Sequence, residues 1–144
     1  MRWNQFGDDP ERAKALGEVL LGATVAGGVP SDTKLAVVEG QVMKALGVTA
    51  LPPEVAAHLF HGDAARLDLT SACKRLAPDG SRERMAVMKA ISLVINAEGM
   101  VKAGERAYAL RVATELGVPW NDVLDLIGMP HRPTTGPRPR PSVR

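Results

Sequence analysis

The chain has 144 residues, 45% of them hydrophobic and 3% aromatic, with a single cysteine and a net charge of +2. That length buries one domain's core without staples, and a lone Cys73 excludes an intrachain disulfide framework. All 16 acidic residues and 14 of the 18 basic ones precede residue 129, so residues 1–128 carry −2. The four others, Arg132, Arg138, Arg140 and Arg144, make the basic isoelectric point a property of the last segment, which argues against a nucleic-acid-binding body. No run approaches the ~18–20 apolar residues that span a bilayer, and the polar opening has no leader character. With the single thiol, these features predict a soluble, cytoplasmic protein.

Residues 1–9, MRWNQFGDD, read as an N-terminal arm that offers Trp3 and Phe6 for docking. Asp9 and Pro10 then open a first helix, with Glu11 favourable near the positive end of its dipole. Leu16, Val19, Leu20 and Ala23 face inward on it, and Gly27-Gly28 stops it near Val25. A second helix over 33–46 carries Leu35, Val38, Val42 and Leu46 and ends at Gly47. Pro52-Pro53 opens a short third helix that closes near Gly62. A fourth, over 63–77, places Leu69, Ala72, Cys73 and Leu76 at helical spacing.

After Pro78-Asp79-Gly80, Ser81 is a good N-cap for a fifth helix. Val87, Met88, Ile91, Val94 and Ile95 make one face there, which Met85 and Leu93 widen, so this helix is expected at the centre. Each such side chain contributes about 1.5–3 kcal/mol on burial. A sixth helix spans 103–116 and ends at Gly117; Pro119 starts a seventh, where Trp120, Val123, Leu124 and Ile127 form one face up to Gly128. Residues 129–144, PHRPTTGPRPRPSVR after Met129, have five prolines and no apolar periodicity, the composition of a disordered tail. No alternating run reads as a strand. The expected fold is all-α: about seven helices in a compact bundle at 10–128, between an arm and a tail.

The halves repeat each other. VAGGVPSDTKLAVVEGQVMKALGV and NAEGMVKAGERAYALRVATELGV align Gly28 with Gly99 and Val29 with Met100, then Gly47-Val48 with Gly117-Val118 after a one-residue slip. Two helix-turn-helix repeats packed on each other predict a pseudo-twofold bundle. Residues 84–128 resemble the TerB-like (tellurite-resistance) all-helical family, whose repeats have an Ala-Asp-Gly-apolar turn, a later acid and a Leu-Gly end. Here Ala97-Glu98-Gly99-Met100 stands at the turn and Glu105 at the later acid. The first repeat departs from the pattern: Gly27 replaces the turn acid, and Lys34 lies near the register of the later glutamate. The resemblance implies an acidic, divalent-cation-binding patch, half of which is missing here.

No phosphate loop, Ser/His/Asp set or paired-Cys motif is present, and no catalytic residue is assigned. Glu98 and Glu105 are the candidate metal ligands; two carboxylates fall short of the six or more oxygens that hard cations take. His58 and His61 share a helical face at transition-metal spacing but lack further ligands, and read better as a surface pair. Cys73, on an apolar face, reads as a small buried hydrophobe, and the helical methionines as core filling. Trp3, Phe6 and Trp120 are the candidate partner-binding residues. The expected function is that of a non-catalytic protein-interaction module, set by the resemblance in a bacterial stress-response or membrane-associated assembly. The alternative is a divalent-metal sensor or metal-dependent enzyme using Glu98 and Glu105. The partner is another protein, self-association is open, and nucleic acid is disfavoured.

Overall fold

A computed structural model describes residues 10–28, 31–61, 68–76, 78 and 80–127. Seven helices lie among them: α1 (Pro10–Ala26), α2 (Asp32–Leu46), α3 (Pro53–His61), α4 (Leu69–Leu76), α5 (Gly80–Ile95), α6 (Ala103–Leu116) and α7 (Trp120–Leu126). No described residue is in a strand. The all-α bundle expected from periodicity is therefore the observed one. No described helix is long and apolar enough to cross a membrane. The arm with Trp3 and Phe6, and the segment from 128 onward, lie outside the described residues.

The repeat is visible in the hydrogen bonds. Gly28 N–H donates to the Val25 carbonyl at 2.9 Å and Gly99 N–H to the Asn96 carbonyl at 2.9 Å, both glycines at positive φ. At the far ends of α2 and α6 the same cap recurs. Gly47 and Gly117 are left-handed, Val48 N–H donates to Met43 O at 3.0 Å, and Val118 N–H donates to Ala113 O at 2.8 Å. This is the Schellman closure that only a residue free of a Cβ adopts without strain. Burial follows the same register: Lys34, Val38 and Val42 on α2 correspond to Glu105, Ala109 and Ala113 on α6, all buried.

Helix packing respects that symmetry. α1 lies against α5, while α2 and α6 each pack on both α1 and α5 and meet one another through the Lys34 and Glu105 side chains. The central position differs from the expectation. α1 contacts α2, α3, α4, α5 and α6, whereas α5 contacts α1, α2, α6 and α7. Small residues make α1 the hub. A Cβ at Gly17 would sit 2.0 Å from Leu59 Cδ2, and one at Gly22 2.1 Å from the Tyr108 hydroxyl oxygen, so α3 and α6 press directly on its backbone. Side-chain size, which periodicity weighs, understates such a helix.

Two further positions differ. Leu93, expected on the inner face of α5, is 50% exposed, while Ser92 is buried and satisfies its hydroxyl on Lys89 O at 2.7 Å. With α1 and α2 on one side of α5 and α6 and α7 on another, the sector of Lys89, Leu93 and Asn96 is left outward. α5 also begins at Gly80, one residue before the expected cap Ser81.

Candidate functional site

The first repeat enters α2 conventionally: the Ser31 hydroxyl accepts from Lys34 N–H at 3.2 Å. The second enters α6 differently. Lys102 holds the cap position, and its backbone N–H donates to Glu105 Oε1 at 2.9 Å. The remaining oxygen, Oε2, accepts from the Lys34 ammonium, and both side chains are buried. Glu98, its side chain 45% exposed, places Oε1 3.9 Å from the same ammonium. The two sequence-predicted carboxylates thus converge on one point, and a lysine already stands there.

Gly27 is the complement of that lysine. A Cβ there would lie 2.7 Å from Glu105 Oε2, so the bare glycine turn leaves the volume that the carboxylate fills. Gly104 does the same for the other elbow, where a Cβ would meet the Ala26 carbonyl oxygen at 2.5 Å. The Lys102 ammonium then donates to the Gly27 carbonyl at 2.9 Å. What looks in sequence like a degenerate first repeat is one half of an interlock. Among the described residues no three His, Cys, Asp or Glu side chains cluster as metal ligands.

The histidine reading resolves differently. His58 Nε2 lies 2.6 Å from Glu18 Oε2, and Arg75 grips the same carboxylate with two bonds, at 3.0 and 2.5 Å. Burial alone would raise the Glu18 pKa, but the hydrogen bonds and charges of Arg75 and His58 outweigh it and hold the carboxyl below its usual value. Among the described residues α3 packs on α1 alone, and this clasp and the Leu59–Gly17 contact are part of what holds it there. His61 closes α3, its side chain outside the described ones. Sequence periodicity signalled neither Glu18 nor Arg75, because the partners are 57 residues apart.

Cys73 is buried as expected. Burial, reinforced by the nearby Glu115 charge, pushes its thiol up to about 11, which keeps it protonated and unreactive at neutral pH. It lines a pocket of about 270 Å³ with Thr70, Lys74, Pro78, Arg84, Glu115 and Leu116. Burial likewise raises the Tyr108 phenol, whose hydroxyl donates to Val19 O at 2.7 Å.

Trp120 departs from its predicted face. Val123 and Ile127 turn inward as expected, but Trp120, the first residue of α7, is 54% exposed. Its indole N–H donates to the Thr114 hydroxyl at 3.0 Å, near the end of α6. Met100, at the second elbow, is 70% exposed.

No family model, curated protein or solved structure matches this chain.

Proposed function

We propose that this chain is a non-catalytic protein-interaction module, of TerB-like type, that docks a partner protein through Trp120. The observation that carries the reading is a large aromatic ring that is hydrogen-bonded to Thr114 yet 54% exposed. Tryptophan gives much contact area with few torsions to freeze, and dominates the centres of protein interfaces. The elbow carboxylates support the same reading, since Glu105 already spends both oxygens on Lys34 and Lys102. A role in a bacterial stress-response or membrane-associated assembly belongs to this proposal through the resemblance of the 97–105 turn to that family.

The test is capture with the full chain and with Trp120→Ala, after matched unfolding curves show that both are folded. A partner retained by the wild type and lost with Trp120→Ala supports the proposal. Equal capture by both chains, or none by either, refutes it.

A further inference from the structure

Two ion pairs occupy special places in the repeat. Arg12 Nη2 lies 2.7 Å from Glu83 Oε1, and the Lys34 ammonium meets Glu105. Each pair joins residues 71 apart, the same offset that relates Gly28 to Gly99. A residue that touches its own repeat equivalent lies on the pseudo-twofold axis. The two contacts mark that axis at opposite ends of the bundle, one at the start of α1 and α5, the other where α2 and α6 leave the elbows. At both, the first half supplies the cation and the second half the carboxylate.

Symmetry gives this arrangement a consequence. In a twofold pair of identical halves, a residue on the axis meets its own copy. Two first halves would press Arg12 on Arg12 and Lys34 on Lys34. Two second halves would press Glu83 on Glu83 and Glu105 on Glu105, the latter fully buried. Like charges juxtaposed at an interface are strongly disfavoured, which is how repulsion encodes specificity. Residues 10–61 and 69–127 share the core through α1 on α4, α5 and α6 and through α2 on α5, while α3 and α7 each pack within their own half.

We propose that the half-to-half interface is a sign-coded recognition surface whose partner, beyond its own chain, is the opposite half of a second copy. Two copies associate by exchange, residues 10–61 of one chain packing on residues 69–127 of the other, and never by pairing like halves. Closed monomer and exchanged dimer make the same interface contacts, so concentration and the link between the halves set their balance. The proposal is independent of Trp120.

Two full-length variants test it, Lys34→Glu and Glu105→Lys. Each alone brings like charges together at the elbow. Refolded together, they can exchange halves, and every axial contact then becomes one cation against one carboxylate. The expected result is a 1:1 heterodimer by native mass measurement, with a melting midpoint above that of either variant alone. The cis double variant Lys34→Glu/Glu105→Lys should instead regain a monomer. A mixture whose masses and melting curve are the sum of the separate samples overturns the proposal. Arg12→Glu mixed with Glu83→Arg repeats the test at the less buried end. Homodimers of either single variant that outnumber the mixed species would equally overturn it.

Discussion

Replacing Lys34 by methionine removes the ammonium and leaves the Glu105 carboxylate buried without its cation. Breaking a buried ion pair by deleting one partner costs about 3–5 kcal/mol, because the remaining charge is uncompensated. Glu105 keeps its bond from Lys102 N–H, so Lys34→Met should fall near the low end, at about 3 kcal/mol. Glu105→Gln is milder, about 2 kcal/mol, since Gln still accepts from Lys102 N–H and Glu98 stays within 3.9 Å of the ammonium. The double variant Lys34→Met/Glu105→Gln removes both charges and should lie within about 1–2 kcal/mol of the wild type. The cycle then yields a coupling of about 3–4 kcal/mol, measured by equilibrium urea unfolding with unchanged m-values. If Lys34→Met costs less than about 1 kcal/mol and the coupling is near zero, the elbow interlock has been misjudged.

Gly22→Ala should destabilise the fold by about 1–3 kcal/mol despite alanine's better helix propensity, because the new Cβ would meet the Tyr108 hydroxyl oxygen at 2.1 Å and disturb its bond to Val19 O. Thermal unfolding with tyrosine absorbance reads both effects. Glu18 has a folded pKa below its usual 4.5, so it contributes stability that is present above that pH and lost as pH falls through the lowered folded value. Wild type and Glu18→Gln should therefore differ at pH 7 and converge on acidification; a gap that widens in acid would contradict the clasp. Cys73, with its thiol raised to about 11, should resist alkylation at pH 8 in the native protein and react fully in urea. Rapid native labelling would place that thiol at the surface.

Much of the architecture was legible along the chain. Gly47, Gly99 and Gly117 announced turns because each must take positive φ, and α2, α5 and α6 followed from 3.6-residue periodicity. The repeat was legible for the same reason, since both halves need the same closures. The candidate site was legible only in part. Glu98 and Glu105 stood out as acids near a turn, and the structure brings them to one point. Lys34 read as a lapse in the first repeat, because its role needs a partner 71 residues away. The departures of Trp120 and Leu93 are of the same kind. Helical phase assigns a side chain to a sector, but the neighbouring helices decide whether that sector is covered.

By itself, the sequence determined what is local: helix content, helix ends, the doubled pattern and the burial of Cys73, all governed by backbone dihedrals and apolar spacing within a few turns. Tertiary structure alone decided which helix is central, that glycines in α1 admit α3 and α6, and that a lysine and a glutamate at equivalent repeat positions meet. Those outcomes depend on distances between segments remote in the chain. Close packing and Coulomb attraction act through such distances whatever the separation in sequence.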